Sequence, residues 1–206
     1  MHGGIVVTVG ADSVLVEARL FGGQVPCPVV GCQQPLRPWG WARRRRVHGL
    51  AGSLRPRRAR CGSCLATHVL LPVVVLLRRA YAAEVIGAAV RARAAGAGHR
   101  SIGERLRVPS STVRGWLRRL GGRLGSVRVV LLQVAVRAGV DVTVPAATGS
   151  GWRDLLAALE AAKEAVVGRF GPVGVLGPGV LGAVTAWQVA VSCSGGRLLA
   201  PGWQVS

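Results

Sequence analysis

The chain has 206 residues, half of them hydrophobic and 4% aromatic, which is enough apolar material for one or two small domains with a packed core. Its formal net charge of +19 comes from 27 basic residues, 26 of them arginine, set against eight acids. This balance excludes an acidic surface and favours a polyanionic partner, because a strong positive field attracts phosphate groups and releases their counterions.

The positive charge is confined to one part of the sequence. Residues 37–128 contain 21 arginines and only two acids, Glu84 and Glu104, whereas the basic and acidic residues of the rest of the chain cancel. A confined block of this kind indicates a surface for nucleic acid. The alternative is an ordinary solvated surface, since arginine in place of lysine is also what high-GC coding produces.

The N-terminal segment, residues 1–23, is predicted to contain a short strand and a short helix. The strand should cover residues 4–9, with a frayed start as the alternative. The helix should be capped by Asp12 or Ser13 and run to Phe21, although the same residues could form a strand. The apolar face of this helix is predicted to consist of Val14, Leu15, Ala18 and Phe21.

Four of the five cysteines occur in two close pairs, Cys27-x4-Cys32 and Cys61-x2-Cys64. The start of the chain shows no secretory signal, which predicts a reducing compartment, where clustered cysteines bind metal more often than they form disulfides. Two short loops can place four thiolates around one tetrahedral zinc ion, a closed and therefore structural site. His68 is a further ligand candidate. The alternative is four unrelated reduced thiols.

Both cysteine pairs lie in residues 24–72, which are predicted to form a zinc ribbon of short strands. Proline and glycine recur throughout this stretch and disfavour a long helix. The arginines between the pairs should contact a phosphate backbone. These candidates are Arg43, Arg44, Arg45, Arg46, Arg57 and Arg58.

A helical domain with a helix-turn-helix motif is predicted for residues 78–138. Ser101 and Glu104 have the spacing of a capping box at the first helix of the motif, and residues 108–109 should form the turn. A further helix is expected over residues 123–138.

The second helix of the motif is expected to be capped by Ser110 or Ser111 and to bind DNA. Its apolar residues recur at helical spacing and should pack inward: Val113, Trp116, Leu117 and Leu120. The opposite face is polar and basic, as insertion into a major groove requires. The candidate DNA contacts are Ser111, Thr112, Arg114, Arg118 and Arg119. The alternative is a helical hairpin whose basic face is merely solvated.

The C-terminal part is predicted to be a linker, residues 139–151, and a small helical region, residues 152–206. The helix over residues 152–170 is amphipathic. Its apolar side should carry Leu155, Leu156, Leu159, Ala162 and Val166, and its polar side Asp154, Glu160 and Glu164. We expect these helices to support self-association or to pack on the helix-turn-helix.

An uncharged stretch, residues 170–196, allows two interpretations. We predict a buried helix within residues 180–193, because glycines and prolines interrupt the first half of the stretch. The alternative is a regulator tethered to a membrane through residues 172–193. Cys193 is expected to be a small buried apolar residue, and we assign no role to it or to residues 171–206 as a whole.

Two parts of the sequence resemble known DNA-binding modules. Residues 57–68, Arg-Arg-Ala-Arg-Cys-Gly-Ser-Cys-Leu-Ala-Thr-His, resemble the second zinc knuckle of the N-terminal modules of insertion-sequence transposases, and residues 102–120 resemble the helix-turn-helix that follows it there. The order of both parts is similar to a family of uncharacterised zinc-ribbon plus helix-turn-helix proteins of high-GC bacteria. The resemblance implies DNA binding. This sequence departs from the usual pattern at two places. Arg107 stands where such turns usually have glycine, and the Cys27–Cys32 knuckle is longer than the common spacing.

No catalytic site is recognisable in the sequence. A transposase needs three carboxylates converging on metal ions, and no alternating strands accompany the acids that follow the helix-turn-helix. We therefore predict a cytoplasmic, nucleoid-associated α+β protein, mostly α, that is not an enzyme and takes no small-molecule substrate. It should hold one structural zinc and bind double-stranded DNA sequence-specifically, as a transposase-like module or a transcriptional regulator. The alternatives are a transposase fragment acting with a separate catalytic subunit, and an RNA binder that uses Trp39 and Trp41.

Overall fold

The computed structural model describes residues 5–139, 141–176, 184–200 and 203. The fold is mixed, about 46% helical and 17% strand, which confirms the coarser prediction of a mixed fold with more helix than strand. The strands are β1 (Val6–Val9), β2 (Leu36–Trp41), β3 (Arg45–Arg46), β4 (Ser53–Leu54), β5 (Arg57–Cys61) and β6 (Thr67–Pro72). The helices are α1 (Ser13–Phe21), α2 (Ala83–Ala94), α3 (His99–Leu106), α4 (Ser110–Gly121), α5 (Leu124–Ala138), α6 (Gly151–Leu176) and α7 (Ala186–Cys193).

The main sheet has the strand order β1-β6-β5-β2 and joins the N-terminal segment to the cysteine-bearing strands. The first strand runs parallel to β6, while β5 is antiparallel to both β6 and β2. A register shift between Pro38 and Gly40 makes Trp39 an extra residue in β2. The predicted boundary at residue 23 therefore falls inside one packed unit.

Helix α1 covers the sheet with a different face from the one predicted. The Asp12 cap is confirmed, since its carboxylate accepts from the Val14 amide at 2.7 Å. The buried residues, however, are Val16 and Leu20, whereas Val14 is 73% exposed. The predicted face through Val14, Leu15, Ala18 and Phe21 is wrong, because Val16 and Leu20 are the residues that pack against the strands of the sheet.

Strands β3 and β4 form a short arm that reaches the helices. The ring of His48, at the base of the arm, lies with Nε2 3.1 Å from the Leu106 carbonyl oxygen. Gly49 sits so close to α2 that a Cβ there would lie 2.3 Å from Val85 Cγ2. This position needs glycine both for its contact and for its positive φ of 89°.

Helices α3 and α4 pack as predicted but begin differently. Every residue predicted to pack inward from α4 is buried, namely Val113, Trp116, Leu117 and Leu120. Neither predicted side-chain cap exists, because α3 begins two residues before Ser101 and the residue before α4 is Pro109, whose side chain has no acceptor for the first N–H groups of the helix. Arg107 adopts the left-handed conformation, φ 52° and ψ 46°, that glycine normally supplies in such turns.

One hydrophobic cluster runs from Val73 to Leu199 and includes residues of α2 through α7. Trp187 of α7 is 2% exposed and lies over Gly87 of α2, where a Cβ would come within 2.2 Å of the indole nitrogen. The last helix thus shares a core with the predicted helix-turn-helix. Cys193 at its end is exposed, which corrects the prediction that it is buried.

No helix in the described part of the chain is long and apolar enough to cross a membrane. The suggested tether over residues 172–193 lies partly outside the described residues, which omit 177–183. The predicted buried helix is present over Ala186–Cys193.

The prediction that Asp154 lies on the solvated side of α6 is wrong. Its side chain is buried, and the residue is only 8% exposed. Its carboxylate accepts hydrogen bonds from the backbone N–H and the hydroxyl of Thr148, each at 2.7 Å, and so ties the preceding loop to the first turn of α6. These two hydrogen bonds from Thr148 hold the pKa of Asp154 below its ordinary value.

Because Asp154 accepts these hydrogen bonds as a carboxylate, we expect the free energy of unfolding to fall in acid. A carboxyl with a lowered folded-state pKa stabilises the fold above its unfolded pKa of about 3.9, and the contribution is lost as the pH falls through the folded value. Asp154→Asn should lower the melting temperature at pH 7 and lessen its decline between pH 5 and pH 2, whereas Asp141→Asn, at an exposed position, should do neither. Equal melting curves for Asp154→Asn and the unmodified chain would contradict this role.

Candidate metal centre and basic surface

The four paired cysteines converge on one point between the loop before β2 and the turn after β5. All four sulfurs lie within 4.8 Å of one another. The Sγ–Sγ distances are 3.6 Å for Cys27 and Cys64 and 3.5 Å for Cys32 and Cys61. These distances are far longer than a disulfide bond and close to the separation of about 3.8 Å expected for thiolates around a tetrahedral ion with metal–sulfur bonds of about 2.3 Å. The cluster therefore has the geometry of a metal site.

Backbone N–H groups favour the thiolate form at Cys27, Cys61 and Cys64, and at Cys61 they outweigh the effect of burial. The N–H groups of Cys64 and Ser63 are directed at the Cys61 sulfur and lower the pKa of that thiol to about 6. Burial raises the pKa of Cys27 to about 12. Burial opposes ionisation at Cys27, Cys61 and Cys64. A divalent cation would offset the cost of placing several thiolates together.

His68, the further ligand candidate, lies beside the cluster. It is fully buried on β6, and its Nε2 is 3.7 Å from Cys27 Sγ while its Nδ1 is 3.2 Å from the Ile5 carbonyl oxygen. A carbonyl can only accept, so Nδ1 carries a proton and Nε2 faces the sulfur. His68 is therefore a buried neighbour of the Cys27 sulfur and lies outside the group of four sulfurs that converge.

The exposed face of α4 presents arginines in three directions. With 100° between successive residues, Arg118 lies opposite the buried stripe, and Arg114 and Arg119 lie on its two flanks. All three are exposed, as is Ser111, while Thr112 is half-buried. The predicted contact residues of this helix, apart from the half-buried Thr112, thus lie on its solvent-exposed side.

The arm of β3 and β4 meets the fold at the turn before α4. Arg46 of the arm and Arg107 of the turn line one open cleft together with His48 and Tyr81. The Tyr81 ring in turn packs edge-on against Trp116 at a centroid distance of 4.9 Å. The arm is therefore held at a fixed place beside α4. The sequence marks Arg107 only as a residue that replaces the usual glycine of the turn. Its position in that turn is the signal that could have placed it beside the arm.

The remaining candidate arginines divide into exposed and engaged groups. Arg43, Arg44 and Arg58 are exposed, whereas Arg45 is half-buried. Arg57 is engaged within the fold: its Nε lies 2.7 Å from Glu17 Oε1, and it donates to the Gly40 carbonyl at 2.9 Å. These contacts fit a structural role for Arg57 in fastening α1 to the sheet.

Two tryptophans of β2 are exposed and stacked with arginines. Trp39 is 53% exposed under the guanidinium of Arg60, and Trp41 is 42% exposed under that of Arg57. The register shift at Trp39 puts the two rings on opposite sides of the strand. They therefore do not form one continuous platform for successive bases, which weakens the single-stranded RNA alternative.

Comparison of the chain with protein-family models, with curated proteins and with solved structures found no match. The resemblance to transposase modules stays a prediction, and the function is inferred from the geometry of the cysteine cluster and of the basic surface.

Proposed function

We propose that the protein binds double-stranded DNA through α4 and the adjoining arm, and that the four cysteines hold one structural zinc. The observation that carries the proposal is the set of exposed arginines on the outer side of α4, Arg114, Arg118 and Arg119. At the turn before α4, Arg107 lines a cleft together with Arg46 of the arm. A helix presented in this way fits the major groove, and the neighbouring arginines suit phosphate contacts. The zinc ribbon and helix-turn-helix are the two parts of this proposed DNA-binding unit.

Zinc is the metal that fits the cysteine cluster best. Four cysteine sulfurs in a tetrahedral arrangement are the ligand set of structural zinc sites, and they leave no position for a catalytic water. The metal would join the loop between α1 and β2, which carries Cys27 and Cys32, to the end of β5, where Cys61 and Cys64 lie. Its proposed role is therefore to hold the strand pair from which the basic arm projects.

A transposase accessory function is a second candidate. The acids of the described residues are dispersed, and the cysteines are the one group there that converges as metal ligands, so the three carboxylates of a transposase are not assembled in that part of the chain. In that case the protein would position DNA for a separate catalytic subunit. The discriminating observation is whether DNA cleavage by such a subunit requires this chain.

We expect base-reading and backbone-binding arginines to respond differently to mutation. Arg114→Ala or Arg118→Ala should weaken binding to a selected duplex by about 1–3 kcal/mol and affect random duplex much less, because base contacts carry the specificity. Arg44→Ala or Arg58→Ala should weaken all duplexes alike and reduce the salt dependence by about one unit of slope for each phosphate that is no longer bound. Fluorescence anisotropy with labelled duplexes over a range of salt concentrations measures both quantities.

Arg137→Ala provides the matched control, because this exposed arginine on α5 lies outside the proposed surface. It should leave affinity and salt slope unchanged. If every α4 variant lowered the affinity for all duplex sequences equally, base readout would be ruled out and the protein would be a nonspecific DNA binder. Better competition by single-stranded RNA than by duplex DNA would overturn the proposed function.

A further inference from the structure

Four arginines from distant parts of the sequence line a second cleft, on the Arg119 side of α4. We call it the arginine cleft: Arg78 and Arg79 come from the turn before α2, Arg119 from α4, and Arg197 from the segment after α7, with Leu77, Ala200 and Trp203 completing the lining. The cleft measures about 460 Å³, a size typical of sites for small organic ligands.

The segment after α7 is fastened in place by guanidinium groups. Arg79 donates to the Leu199 carbonyl at 2.6 Å, and Arg123 donates to the carbonyls of Leu198, Ala200 and Trp203 at 3.1–3.3 Å. Leu198 and Leu199 are themselves buried in the main core. The wall that carries Arg197 and Trp203 is therefore built into the fold.

The charge in the arginine cleft is uncompensated within the described part of the chain. No carboxylate lines it there, and the ion pairs of the described residues are elsewhere, at Arg57–Glu17, Arg91–Glu84 and Lys163–Glu160. The Nε of Arg79 is enclosed and has no hydrogen-bond partner among those residues. Burial, and then the nearby charge of Arg119, lower the pKa of Arg79, as expected when guanidinium groups crowd together without an anion.

We propose that the arginine cleft is a binding site for a phosphate group. Guanidinium groups bind phosphate oxygens through paired, charge-assisted hydrogen bonds, and an anion would relieve the repulsion among the four arginines. Trp203 adds an aromatic wall suited to the organic part of a phosphate ester. The source of the phosphate is either a free nucleotide or the backbone of the duplex that α4 binds, and the second source rests on the proposed function.

The test uses inorganic pyrophosphate as the probe and the full chain with its metal. Two exposed residues that do not fasten the C-terminal segment are replaced, as Arg197→Ala and Arg78→Gly. Glycine is chosen because Arg78 has a φ of 57°, which glycine adopts without strain, so the fold is preserved. Calorimetric titration should show binding to the unmodified chain and an affinity about tenfold weaker for each variant, the size of effect expected when one charge-assisted hydrogen bond is removed.

Arg137→Ala, exposed on α5, is again the control and should bind pyrophosphate as the unmodified chain does. Unchanged binding in Arg197→Ala and Arg78→Gly, or an equal decrease in the control, would overturn the arginine cleft as a site.

Duplex binding by the same variants then separates the two sources. If the slope of log affinity against log salt concentration falls by about one unit, the cleft binds a phosphate of the DNA backbone. If that slope is unchanged while pyrophosphate binding is weakened, the cleft binds a free phosphate ligand. Pyrophosphate binding without any duplex binding would leave the cleft standing and contradict the proposed function.

Discussion

Replacing Cys61 with serine should unfold the sheet and release the metal. This sulfur is fully buried, lies 3.5 Å from Cys32 Sγ and ends β5, the strand that pairs with both β2 and β6. The apparent binding energy of a structural zinc site is about 10–16 kcal/mol at pH 7, and it stabilises the fold directly. The unmodified chain should contain one zinc, and Cys61→Ser should contain almost none.

Cys193→Ser is the matched control for this prediction, because Cys193 is exposed and outside the cluster. It should leave zinc content, circular dichroism and melting temperature unchanged. Elemental analysis of purified protein and melting curves with and without a chelator provide the measurements. A chain that is metal-free and folds normally, or a Cys61→Ser variant that melts like the control, would contradict a structural metal.

The features predicted correctly from the sequence are those set by local spacing. The pairing of Cys61 with Cys64 needs only a short turn, and the buried stripe of α4 repeats with the period of a helix. The Asp12 cap likewise depends on amides two and three residues away. In each case the residues that make the contact are close along the chain, so a pattern in the sequence contains the whole interaction.

The features that the sequence does not reveal depend on neighbours distant along the chain. Which face of α1 is buried is decided by a sheet whose strands extend to residue 72, and so Val16 rather than Val14 faces inward. Asp154 has the polarity of a surface residue until the loop at Thr148 folds back onto it. The arginine cleft joins Arg79 to Arg197, which no spacing rule relates. Tertiary packing rather than local propensity determines all three.

The C-terminal helices should be indispensable for the stability of the proposed helix-turn-helix. Trp187 is 2% exposed in the cluster that also buries Ile86 of α2 and Leu131 of α5. Trp187→Ala should lower the free energy of unfolding by about 3–5 kcal/mol, the usual cost of removing a buried aromatic side chain. A chain ending at residue 125 should not fold stably, because it lacks the residues of α5, α6 and α7 that complete this core.

Three variants separate packing from other effects at Trp187. Phe170→Ala, at a residue 55% exposed, should cost little and is the control for removal of an aromatic ring. Trp187→Phe should retain most of the stability, because the indole N–H has no hydrogen-bond partner among the described residues and its removal leaves no partner unsatisfied. Gly87→Ala, on the facing helix α2, should also lower the free energy of unfolding, since the added methyl group would overlap the indole of Trp187. Denaturant unfolding measures all three, and a chain of residues 1–125 that binds duplex as tightly as the full chain would show that the shared core is not required.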